Sequence, residues 1–170
     1  MPAPADLPRL LAARDWEAAE RVLRRAARRA DAPAAVHYNL AKVLEAAERP
    51  GRAAALERAV RADPRHRDAW FELGRARQEG DPEGAREAFA RAGALGDAEG
   101  ARMAARLALR LGRWEEALAA PGDDEEARVI RWRAAAELGQ APDPAALPPG
   151  AAGLRAMVRV AKGRLPMGRP

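Results

Sequence analysis

Four short segments recur along this chain at intervals of 32 to 34 residues, and that spacing constrains the fold more than any other feature. They read R-D-W-E-A-A at 14–19, E-R-P-G-R-A at 48–53, G-D-P-E-G-A at 80–85 and G-R-W-E-E-A at 112–117. Their third members are Trp16, Pro50, Pro82 and Trp114, and their sixth are Ala19, Ala53, Ala85 and Ala117. Each segment reads as a tight turn in which one helix stops and a second begins. The alanine is small enough there to admit a neighbouring helix.

A unit made of two helices needs a helix-forming composition, and the chain has one. Hydrophobic residues make up 48%, much of it alanine, while Val, Ile, Thr and Tyr, which strands favour, are scarce or missing. The aromatic residues are few: Trp16, Tyr38, Trp70, Phe71, Phe89, Trp114 and Trp132. At 170 residues the chain suits one domain with a continuous core. Periodicity and turn chemistry predict helices at 6–13, 16–30, 34–47, 51–62, 67–79, 83–94, 98–111, 114–120, 124–138 and 151–163. Asp6, Asp15, Asp31, Asp81, Asp97 and Asp123 stand near the starts of these helices and are the expected caps. The stretch A-P-D-P-A-A-L-P-P-G at 141–150 reads as a stiff connector.

The fullest unit runs A-W-F-E-L-G-R-A at 69–76 and then G-D-P-E-G-A-R-E-A-F-A-R-A at 80–92. Y-N-L-A-K-V-L at 38–44, A-V-R-A-D-P at 59–64 and W-E-A-A-E-R-V-L-R-R-A at 16–26 repeat parts of it. Trp70, Leu73 and Gly74, followed by Ala85, Phe89 and Ala92, stand at the signature spacing of the tetratricopeptide repeat family. The chain resembles that family over residues 14–117. The resemblance implies an all-α, right-handed superhelical solenoid of antiparallel helix pairs. About three to four repeats would be followed by a degenerate repeat and a capping helix. On this reading 1–140 is the repeat domain, 141–150 its Pro-rich connector, and 151–170 a capping helix and tail within the same domain. The pattern departs from the family where Pro121-Gly122 cuts off a second helix, and where Arg128 and Arg131 stand at positions expected to be apolar.

Absences narrow the function. The chain has no cysteine, serine or threonine, which removes Ser and Cys nucleophiles, disulfides, thiolate metal sites and the hydroxyl of a phosphate-binding loop. His37 and His66 are the only histidines and lie at no metal-ligand spacing, so each is expected to be structural or solvent-facing. No cofactor is implied, and the composition argues against an enzyme. The start of the chain lacks a charged segment leading into an apolar one, and no stretch reaches the length of a membrane span, which points to a cytoplasmic protein. The formal charge is +5 and the excess is arginine, since Lys42 and Lys162 are the only lysines.

The resemblance also suggests where a ligand would lie. First helices of the family line a concave groove that takes extended peptides or partner helices. Carried over residue by residue, the groove positions are Lys42, Arg75, Arg106 and Arg133, one position on successive first helices, with Tyr38, Asn39, Phe71, Arg102 and Arg110 nearby. Such a row suits an acidic or C-terminal peptide, because guanidinium groups on rigid helices hold carboxylates by paired, charge-assisted hydrogen bonds. Glu45, Asp68, Glu72 and Glu79 stand close enough in sequence to neutralise part of it. Likeness to the subclass that clamps chaperone tails is partial, resting on Asn39 and Lys42. The cluster Arg24, Arg25, Arg28 and Arg29 reads as a solvated helix face rather than a nucleic-acid stripe, since no stacking aromatics accompany it. The function expected is therefore a non-catalytic protein-interaction module or scaffold. The alternatives are a self-associating assembly protein or a nucleic-acid-binding accessory protein.

Overall fold

The computed structural model describes residues 7–140 and 142–147, together with Met157. Among the described residues the regular structure is helical throughout. The helices are α1 (Leu7–Ala12), α2 (Trp16–Ala26), α3 (Ala34–Ala46), α4 (Arg52–Ala62), α5 (Arg67–Arg77), α6 (Pro82–Ala94), α7 (Ala98–Arg110), α8 (Trp114–Leu118) and α9 (Glu125–Glu137). A 3-10 turn follows at Pro144–Ala146. Each helix packs on its chain neighbours, and α7 also reaches α9, so the helix pairs stack as a solenoid of repeats.

Without serine or threonine, aspartate does most of the capping. Asp15, Asp81, Asp97 and Asp124 accept from the backbone N–H groups of Ala18, Gly84, Gly100 and Ala127 at 2.8–3.0 Å. Two expected caps are reassigned. Asp31 pairs with Arg29 at 3.1 Å, and Asp123 takes Arg131 at 3.1 Å while its neighbour Asp124 caps α9. Asp6 lies outside the described residues. The start of α5 is capped by a histidine, with the N–H of Ala69 donating to Nδ1 of His66 at 3.2 Å.

Three helices stop two or more residues short of the expected end: α2, α8, and α5, which ends at Arg77 rather than at 79. α2 stops at Ala26 rather than at 30, because the N–H groups of Arg28 and Arg29 turn back to the carbonyls three residues earlier. Pro33 then holds Ala32 out of the helical region, so the chain must straighten before α3. α8 stops at Leu118, two residues before the expected 120, since Pro121 cannot continue a helix and the residue before it is driven extended. The expected helix at 151–163 lies outside the described residues, apart from Met157.

Side-chain size explains the signature residues. Phe89 is completely buried and meets Phe71 edge to face, with ring centroids 5.4 Å apart. A Cβ on Gly74 would lie 2.7 Å from the Phe89 ring, so the glycine exists to let α6 close on α5. Trp16 and Trp70 pack against the first core and Trp114 against the next. Trp132 packs with Ala136 and Leu147, and its indole N–H donates to the carbonyl of Asp143 at 3.1 Å. The connector, expected to be a stiff non-helical spacer, thus makes one 3-10 turn and buries Leu147. The space beside α8 stays open as a groove of about 380 Å³ lined largely by alanines.

Candidate peptide-binding face

The first helices α3, α5, α7 and α9 carry Lys42, Arg75, Arg106 and Arg133 in turn. Each is already engaged within the protein. Lys42 Nζ donates to Glu45 at 2.6 Å and to Glu72 at 3.2 Å. Arg75 Nη1 donates to both oxygens of Glu72 at 3.2 Å. Arg52, which enters from the start of α4, bonds Glu72 and lies 3.0 Å from Glu45. Three cations therefore surround two carboxylates, and the face keeps one net positive charge there. Glu72 is only 9% exposed, a depth at which a lone carboxylate would be costly and a surrounded one is not.

The electrostatics follow from that geometry. Burial alone would raise the Glu45 carboxyl, but the Lys42 hydrogen bond and the charges of Arg52, Lys42 and Arg75 outweigh it and leave it below the usual carboxylate range. For Lys42, burial works against the charge, and the two glutamates more than offset it, so its ammonium is held above the ordinary lysine value. Burial pushes the Tyr38 phenol up, and Glu72 adds to the effect.

Further along, Arg106 grips Glu126 of α9 through two nitrogens, with Nη2 at 2.6 Å, and Arg102 pairs with Glu99 of its own helix. The Glu126 hydrogen bond raises Arg106 above the ordinary guanidinium value, as Glu99 does for Arg102. Arg133 is half-buried and has interactions of its own. Tyr38 leans on His66 with ring centroids 4.9 Å apart, and Phe71 is committed to Phe89. Asn39 is half-buried, and its amide has no hydrogen-bond partner among the described residues. Arg110 is exposed and likewise meets no carboxylate among them.

Of the carboxylates expected to temper the row, Glu45 and Glu72 do so, while Asp68 goes to Arg67 at 2.9 Å. Sequence reasoning missed Arg52 as the third cation of the cluster and Arg49 as a partner of Glu20. Neither had a local signal, because Arg52 and Glu72, like Arg49 and Glu20, belong to different repeats. The basic cluster is exposed, with Arg24 and Arg25 in the last turn of α2 and Arg28 and Arg29 beyond its end, and Arg24 pairs with Glu20 at 2.6 Å. Among the described residues no group of three histidines or carboxylates could hold a metal ion, and no helix is long and apolar enough to cross a membrane.

A sequence model of the tetratricopeptide repeat matches residues 8–58 and again 53–99, more than half of the chain. The chain belongs to the tetratricopeptide repeat family. No curated protein matched it as a relative. Tetratricopeptide repeats generally mediate protein–protein interaction or scaffolding and are typically non-catalytic. In this tetratricopeptide protein the matched residues cover α1 to α6, whereas α7 to α9 lie almost wholly beyond them.

Proposed function

We propose that the chain is a non-catalytic, cytoplasmic interaction module that holds an acidic or extended segment of a partner protein along its first helices. The residues assigned to that face are Tyr38, Asn39, Lys42, Phe71, Arg75, Arg102, Arg106 and Arg133. The observation that carries the reading is the excess of cations over carboxylates around Glu72, flanked on α3 by the amide of Asn39, which has no hydrogen-bond partner among the described residues. Guanidinium groups fixed by an internal carboxylate on one edge are oriented in advance for a second one, which lowers the entropy lost on binding. Phe71 and Tyr38 serve this face as half-exposed apolar floor, held in place by Phe89 and His66.

The test is capture of a partner from the native cell by the wild-type chain and by the double variant Arg106→Glu/Arg133→Glu. The variant should fold, by circular dichroism, and lose the captured protein. Undiminished capture by a folded variant would remove the row from the binding face.

A further inference from the structure

Where the first helices of the middle repeats end and the second helices begin, the fold leaves a cleft of about 980 Å³. Its lining includes Arg49, Arg52, Arg75 and Arg110, against the single carboxylate of Glu79. Arg52 and Arg75 are shared with the cluster around Glu72, and the cleft extends from that cluster to the turn edge of the solenoid, where it gains Arg49 and Arg110.

The four arginines differ in what they have left to offer. Arg52 is held by Glu45 and Glu72, and Arg49 spends Nη1 on Glu20 at 2.7 Å. A guanidinium carries five N–H donors, and the side chains of Arg49 and Arg75 are 48% and 47% exposed, so their outer edges can take a second acceptor. Arg110 has no carboxylate partner among the described residues, so its whole fork is open. The start of α4 adds to the field: its cap is Gly51 at φ 102°, which has no side chain to accept from the first-turn N–H groups.

We infer that this cleft receives the carboxylates of aspartate and glutamate side chains from an extended segment of a partner protein, with Arg110 as the principal contact and Arg49 and Arg75 flanking it. The inference rests on the peptide-binding reading above and names where the partner's acid groups are anchored. One observation favours a protein carboxylate over a nucleic acid: the lining contains no aromatic side chain on which a base could stack. The guanidinium forks match carboxylate and phosphate alike, so the experiment probes both.

The experiment is fluorescence anisotropy of labelled octaglutamate on the full chain at low salt. The wild type binds; Arg110→Glu weakens binding about tenfold and Glu79→Gln tightens it about threefold, as gain or loss of one exposed charge contact predicts. Both residues are exposed, so both variants should keep the wild-type circular dichroism. The double variant Arg106→Glu/Arg133→Glu on the same probe separates the two readings. Loss of binding there, with none for Arg110→Glu, would overturn the cleft and leave the first-helix face standing. Failure of the wild type to bind octaglutamate would also overturn the cleft, whatever protein the chain captures from its native cell. A twelve-nucleotide oligo(dT) that binds more tightly than octaglutamate, and is weakened by Arg110→Glu, would overturn it in favour of nucleic acid.

Discussion

From α2 to α5 the core is one continuous cluster built on Leu23, Leu40, Val43, Leu44, Leu56, Val60 and Leu73, whereas from α7 to α9 it divides into smaller clusters filled chiefly by alanine. A fully buried leucine contributes about 1.5–3 kcal/mol and an alanine far less, so the first region is held by burial to a degree the second is not. The buried polar side chains Glu20, His37 and Glu72 belong to the first region as well. The second relies on exposed pairs such as Arg106 with Glu126. In a solenoid each repeat is stabilised mainly by its neighbours, so such a difference stays local. The weaker region is also the one that lies beyond the family match and contains the curtailed α8.

Phe89 is a side chain that couples the two regions, since it sits over Gly74 of α5 and packs with Leu107 of α7. Phe89→Ala should cost about 3–5 kcal/mol and uncouple them. Urea unfolding followed by tryptophan fluorescence would then show two transitions, because Trp16 and Trp70 report one region and Trp114 and Trp132 the other. A single transition at an unchanged midpoint would break the comparison.

The ion pairs sharpen it. Glu72→Gln leaves three cations to share Glu45 alone and should cost about 2–3 kcal/mol, while Glu126→Gln, at an exposed pair, should cost less than about 1 kcal/mol. Equal losses in denaturant titrations would mean that burial of Glu72 is not what separates the regions.

His37 makes a prediction in pH. Burial, with Arg58 and Arg61 adding to it, holds its imidazole below the ordinary value, and its Nδ1 has no hydrogen-bond partner. The unfolded chain therefore takes up the proton first as pH falls through about 6.5, and stability declines from there until the folded state is protonated too. The loss should register in Trp16 and Trp70 before Trp114 and Trp132, and His37→Gln should flatten it. An acid limb that persists in the variant would assign it to the carboxylates.

The smallest expected effect lies in the turns. Glu48 holds φ 52° where the turn after α7 uses Gly112 at φ 74°. Glu48→Gly should therefore stabilise by about 0.5–1 kcal/mol, and Gly112→Ala should destabilise by a similar amount. Thermal midpoints of the two variants moving in the same direction would contradict this.

Nearly all of the helix order was readable from the residues alone, because turn chemistry, aspartate caps and the small residues at crossings act over a few positions. The errors of two or more residues fell at the ends of α2, α5 and α8, where backbone turns and Pro121 cut a periodic pattern short. The place of the arginines was legible only as far as which helix each stands on. Whether a given one is spent or open depends on residues twenty or thirty positions away: Glu72 for Lys42 and Arg52, Glu20 for Arg49, Glu126 for Arg106. Those partners meet only after adjacent repeats have stacked at one particular offset. The sequence by itself determined a tetratricopeptide-like run of helix pairs, since that follows from local rules. The tertiary structure decided which positive charges remain for a partner, since an ion pair depends on distances of a few ångströms between elements that no local rule relates.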